Sequence, residues 1–167
     1  VVYPGNVSPS VDAFYPTGKA GKASAPLRDW SRYRYLEFTA EVQRALAATG
    51  LPADHLEIEI IESALLLDES AARRAIEDMK RLGVHVAIDD FGTGYSNLQR
   101  LKELNVDRLK IDRKLIADLA LDNRDAALSR AIIDMAFALG LSVTAEGVEN
   151  LHQLALLRQQ KCREAQG

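Results

Sequence analysis

Four short stretches of this chain alternate apolar and polar residues one by one, and a helical pattern separates each from the next. In Leu56–Ile61, Leu56, Ile58 and Ile60 alternate with Glu57 and Glu59; in Val84–Asp90, Val84, Val86 and Ile88 alternate with His85, Ala87 and Asp89. Val106–Asp112 sets Leu109 and Ile111 against Arg108, Lys110 and Asp112, and Ser142–Val148 sets Val143 and Ala145 against Thr144 and Glu146. A period of two is that of a strand with two unlike faces. Between the strands, Asp68 caps a pattern of Ala72, Ile76, Met79 and Leu82 that Gly83 ends. Leu98, Leu101 and Leu104 mark a second helix, and Leu128, Ile132, Met135 and Leu139 a third that Gly140 closes. Phe38, Val42 and Leu46 place a helix before the first strand, stopped at Gly50-Leu51-Pro52, and Leu151, Leu154 and Leu157 start one after the last. Antiparallel neighbours need only a tight turn, whereas parallel neighbours need a crossover. The pattern therefore argues for an α/β class with parallel strands and crossover helices. Residues 36–167 make up about half of the roughly 250 residues of a complete barrel.

Strands covered on both faces of a parallel sheet should read as nearly unbroken apolar runs, and these do not. One reading is an antiparallel sheet with a wet face and solvated charges. The other brings the polar faces together in a barrel lumen, with acids at the carboxyl ends of the strands, and the intervening helices favour it. At that end Glu59, Asp89, Asp90, Glu146 and Glu149 carry a formal charge of −5, which Lys110 reduces to −4. Two carboxylates about 4 Å apart repel by roughly 4 kcal/mol at an effective dielectric of 20. Such a cluster must take up protons or cations, and two divalent ions balance the count. Carboxylates without cysteine favour hard cations, Mg²⁺, Mn²⁺ or Ca²⁺. Paired cations suit in-line displacement at a phosphodiester.

The net charge of −3 excludes a broad basic footprint, so no nucleic acid polymer is expected as partner. One cysteine, Cys162, forms no internal disulfide and no thiolate metal site; it is expected to be an inert apolar residue. No apolar run reaches the roughly 18 residues of a membrane span, and a cytoplasmic location is expected. Residues 1–35 differ from the rest. They hold four of the five prolines, and Lys19, Lys22, Arg28, Arg32 and Arg34 outnumber Asp12 and Asp29. This segment is expected to be irregular, with Trp30, Tyr33 and Tyr35 packing an opening helix, and residues 36–167 form the barrel portion. His85, well before the acids, is expected to pack in the lumen.

In Asp89-Asp90-Phe91-Gly92-Thr93-Gly94-Tyr95-Ser96, adjacent strand residues point to opposite faces. Both acids serve one site only if the chain bends, and Gly92 and Gly94 permit that bend. An ordinary helix cap at Asp90 or Ser96 is the plainer alternative. With this loop, Glu59-Ile60-Ile61-Glu62-Ser63, Leu109-Lys110-Ile111-Asp112, Ala145-Glu146-Gly147-Val148-Glu149 and Ala165-Gln166-Gly167 resemble, in order and spacing, the EAL-type cyclic-di-GMP phosphodiesterases. The resemblance covers about residues 36–167. It implies a partial or modified TIM (β/α) barrel that hydrolyses cyclic di-GMP to pGpG in bacterial signalling, with two divalent cations, Mg²⁺ or Mn²⁺, and Ca²⁺ as an inhibitory substitute. It further implies Glu59, Asp89, Asp90 and Glu146 as metal ligands, with Asp89 between the ions. Lys110 and Glu149 would serve the attacking water, Glu62 would anchor the loop after Asp90, through which a homodimer is expected, and Gln166 would lie near the nucleotide.

The chain departs from the family pattern in places. No Glu-Ala-Leu strand is present, Asn6-Val7-Ser8 stands too early for the family's Asn ligand unless an insertion follows it, Ile61 replaces Thr, and Lys161 replaces Gly. A truncated or remodelled member with reduced or no hydrolysis is expected. A non-catalytic cyclic-di-GMP receptor or partner-binding module is the alternative. A third reading, a Schiff base on Lys110, is disfavoured by acids that hold the amine as an ammonium.

Overall fold

The computed structural model describes residues 27–92, 98–119 and 123–167. Asn6-Val7-Ser8 and the rest of residues 1–26, and Thr93 to Asn97 in the glycine-rich loop, lie outside the described residues. The order is α1 (Leu27–Thr49), a 3₁₀ turn (Ala53–His55), β1 (Glu57–Ile61), α2 (Ala64–Leu67), α3 (Glu69–Leu82), β2 (His85–Phe91), α4 (Leu98–Glu103) and β3 (Arg108–Ile111). There follow α5 (Arg113–Ala117), α6 (Asn123–Ala138), β4 (Ser142–Glu146), α7 (Leu151–Gln159) and β5 (Glu164–Gln166). The strands form one sheet in the order β1-β2-β3-β4-β5. The pairs β2/β3, β3/β4 and β4/β5 are parallel. A doubly wound sheet reverses its order at a switch point; spatial order equal to chain order is the winding of a β/α barrel. Parallel pairing excludes the antiparallel alternative.

The chain divides into two compact units, residues 1–60 with 64–86 and residues 61–63 with 87–167. In the first, Asp68 caps α3 by accepting from the Ala71 amide at 3.0 Å. Gly83 ends the helix with φ +85°, the left-handed conformation that costs a Cβ-bearing residue. Between them Ala72, Ile76 and Met79 are buried as the helical period requires, and α3 packs against α1. α1 begins at Leu27, so residues 27–35 are helical rather than irregular. His85 is exposed at the start of β2, not packed in a lumen.

In the second unit, Ile88, Leu109, Ile111 and Ala145 are buried on the sheet, and α5 and α6 pack against β4. The buried face of α6 is Ser129, Ile132, Ile133 and Ala136; Leu128 and Leu139, expected on that face, are exposed. Ser129 turns inward because its hydroxyl donates to Gln160 Oε1 at 2.9 Å. Leu151 is exposed too, and α7 packs through Gln153 and Leu157. Cys162 is buried, and burial pushes its thiol up, as an inert residue requires. β5, absent from the sequence reading, pairs Thr144 with Glu164 and Glu146 with Gln166. Three residues are too few to show a period. Among the described residues no helix is long and apolar enough to cross a membrane.

Leu109, 0% exposed, and Leu151, 83% exposed, give a paired test. Leu109→Ala is expected to cost about 2–5 kcal/mol in a denaturant melt, and Leu151→Ala no more than about 0.5 kcal/mol.

Candidate metal and phosphodiester site

β3 carries Lys110 into the interior of the second unit, where it is 6% exposed. Its Nζ stands 2.5 Å from Glu146 Oε1 on β4 and 3.6 Å from Asp89 Oδ1 on β2. A buried ammonium is tolerated only with such partners. It is paired as an ammonium is, and nothing favours the Schiff base. Lys110, Asp112 and Thr144 are all largely buried, so along β3 and β4 the polar strand face is an interior surface rather than a wet one. One step toward the amino ends, Arg108 donates to Thr144 Oγ1 at 2.8 Å and pairs with Glu164 on β5.

The bend expected near Gly92 begins one residue earlier than Phe91. Ile88 pairs with Leu109, and then Phe91 pairs with Ile111, so β2 spends three residues where β3 spends two. This bulge holds Asp90 at φ +56°. Asp tolerates the left-handed region better than most residues, and here the Asp90 amide donates to Asp89 Oδ1 at 3.0 Å. Carboxylate oxygens of Asp89, Asp90 and Glu146 consequently lie within 4.8 Å of one another. Asp90 lies in β2 rather than at a helix start, and Ser96, the other cap candidate, lies outside the described residues; Asp112 caps α5, accepting from the Lys114 amide at 2.6 Å.

The Asp112 carboxyl also stands close enough to that of Asp90 to share a proton with it, a neighbour the sequence reading missed. The signal was present, since Lys110 and Asp112 stand two apart on the same alternating face. Burial first, then the proton sharing with Asp112, then the charges of Asp89, Asp112 and Glu146 push the Asp90 carboxyl up to about 6. Protonation at that position relieves the crowding, and a cation would do the same. The donors are hard oxygens in a compact, negatively charged group, which fits Mg²⁺, Mn²⁺ or Ca²⁺.

Glu62 is buried and doubly tied to the end of β2. Its carboxylate accepts from the Gly92 amide at 3.2 Å, and its own amide donates to the Asp89 carbonyl at 3.0 Å. Glu149 is exposed on the turn after β4, and Gln166 is exposed on β5 beside Glu146. Glu59 is half-buried on β1 in the first unit. Gly147, directly after Glu146, has φ +69°, and a Cβ there would meet Arg113 Cβ at 2.6 Å and Cα at 3.3 Å.

A parallel β/α sheet with hard oxygen donors at its strand ends defines the class of domain. The chain belongs to the EAL domain family, whose model matches residues 23–167. It is 46% identical over 127 residues to the cyclic di-GMP phosphodiesterase NbdA of Pseudomonas aeruginosa, covering 76% of this chain and 16% of NbdA. It superposes on the solved MucR phosphodiesterase in complex with cyclic di-GMP with a TM-score of 0.77 and 39% identity, covering 81% of this chain and 55% of that one. Klebsiella pneumoniae BlrP1, in complex with manganese and cyclic di-GMP, gives a TM-score of 0.75 and 30% identity over 81% of this chain and 35% of its own.

Two outcomes follow from this geometry. Asp90 has a higher pKa folded than its ordinary 3.8, so between about 4 and 6 the folded state keeps a proton that the unfolded state has released. Metal-free protein should lose thermal stability as pH rises through that window, and Asp90→Asn should flatten the loss. Mn²⁺ should raise the melting temperature more at pH 8 than at pH 5. Gly147→Ala, forced into the left-handed region against Arg113, should cost at least about 1–2 kcal/mol and weaken Mn²⁺ binding in a calorimetric titration.

Proposed function

We propose that this chain carries the metal-binding side of a phosphodiesterase site that hydrolyses cyclic di-GMP to linear pGpG. The observation that carries this reading is the meeting of Asp89, Asp90 and Glu146 beside buried Lys110. Membership of the EAL family and the phosphodiesterases it resembles supply the substrate class.

Asp89, Asp90 and Glu146 would hold divalent cations; Glu59, a ligand by the family resemblance, belongs to the other unit. When bound, such cations acidify a water and neutralise charge on the phosphoryl oxygens. Lys110 donates to Asp89 and Glu146, fixing both carboxylates, and orients the attacking water together with Glu149. Glu62 holds the Gly92 amide and so the start of the loop that follows β2. Gln166 contacts the nucleotide from β5. Mg²⁺ and Mn²⁺ are the activating ions and Ca²⁺ the inhibitory one. The family resemblance also carries a homodimer through the loop after Asp90 and a cytoplasmic location.

Incubation with cyclic di-GMP and Mn²⁺, followed by chromatography for pGpG, tests the reading. Slow turnover above background is expected, and Asp89→Asn and Lys110→Ala should each lower it by about a hundredfold or more. Unchanged rates in both variants would remove the assigned roles. Saturable nucleotide binding without pGpG would assign the chain to the receptor alternative.

A further inference from the structure

The turn from Glu146 to Asn150 leads into α7, whose first turn contains a glutamine that is 3% exposed, Gln153. Its Oε1 accepts from the Glu149 amide at 2.8 Å and the Asn150 amide at 3.2 Å. Its Nε2 donates to the Ile116 carbonyl at 3.0 Å and the Ala117 carbonyl at 3.2 Å. A carboxamide has two N–H donors and two acceptor lone pairs, and all four are used.

Half of this arrangement is ordinary capping. Asn150 Oδ1 accepts from the Gln153 amide at 2.9 Å, and Gln153 Oε1 accepts from the Asn150 amide, which completes a capping box. The other half is unnecessary for a cap. It joins the start of α7 to the last carbonyls of α5, the five-residue helix that Asp112 opens. The Asp112 carboxyl in turn stands beside that of Asp90. The Glu149 side chain is exposed, so its backbone rather than packing sets where it stands.

We propose that Gln153 is a positioning residue whose buried carboxamide ties the Glu149–Asn150 backbone to the end of α5, and so holds Glu149 in place relative to Lys110 and the carboxylates. The proposal deepens the phosphodiesterase reading and rests on it for the role of Glu149. Removing the carboxamide frees two amides and two carbonyls together, and the turn loses its attachment while β3 and β4 remain paired.

The test compares the wild-type chain with Gln153→Met and Gln153→Glu by amide hydrogen exchange and by steady-state hydrolysis of cyclic di-GMP with Mn²⁺. Gln153→Met should speed exchange at the Glu149 and Asn150 amides by about tenfold or more, leave the Leu109 and Lys110 amides protected, and lower kcat about 10- to 100-fold with little change in KM. Gln153→Glu keeps both accepted bonds but meets the Ile116 and Ala117 carbonyls with a carboxylate. It should protect the Glu149 and Asn150 amides and still lose kcat, because the attachment to α5 does the positioning. Wild-type kcat in Gln153→Glu would overturn the proposal, and that variant decides the matter if Gln153→Met does not fold. If the wild-type chain neither binds nor hydrolyses cyclic di-GMP, the phosphodiesterase reading fails by itself. Amide exchange then still judges the attachment, and identical exchange in all three proteins would overturn it.

Discussion

An ammonium buried among carboxylates is the constraint on which the site depends. Lys110 is withdrawn from water, and only partners such as Glu146 and Asp89 make that tolerable. Because those partners stand on β4 and β2, a single side chain on the strand between them draws three strand ends to one point. It also keeps the acids from being driven apart by their own repulsion. One positive charge does not neutralise Asp89, Asp90, Asp112 and Glu146 together; burial first, and then these neighbouring acids, push the Asp90 carboxyl up to about 6. The region is therefore prepared for cations by the same charge imbalance that would otherwise destabilise it.

Departures from regular strand geometry coincide with this place. The bulge in β2 and the left-handed Asp90 are unfavourable locally and persist because the surroundings compensate. Asp89 accepts the Asp90 amide and Glu62 accepts the Gly92 amide, while Asp112 stands beside the Asp90 carboxyl. On the opposite side of the site, Gly147 passes the α5 backbone too closely for any side chain, and Gln153 joins the following turn to the same helix. Short α5 thus meets both acid-bearing segments, through Asp112 at its start and through Gln153 at its end. The similarity to NbdA and MucR accords with this arrangement, although the chain spans only part of the length of either.

Much of the architecture was legible because its signals are local. Asp68 and Gly83 bound α3 where cap chemistry requires, and period-two alternation located four strands within a residue or two of their ends. The acids Asp89, Asp90 and Glu146 were identifiable as polar residues at strand ends, where an apolar run was expected. Other features depended on distant partners. Leu128 and Leu139 fit the helical period as well as Ile132 does, yet α6 buries the stripe that includes Ser129, because Gln160 supplies a partner for its hydroxyl. β5 is too short to announce itself and exists through its pairing with β4.

The amino-acid sequence by itself determined the alternation of strands and helices, the helix caps, and which acids and which lysine stand at the strand ends, since each follows from side-chain type and short-range spacing. Tertiary structure alone decided that Asp90 turns back beside Asp89, that Asp112 joins them, and that Gln153 reaches α5. Those outcomes depend on strand register and on contacts between residues far apart in the chain. A bulge is defined only against its partner strand, and a buried carboxamide acquires a role only once the fold has brought four backbone groups to it.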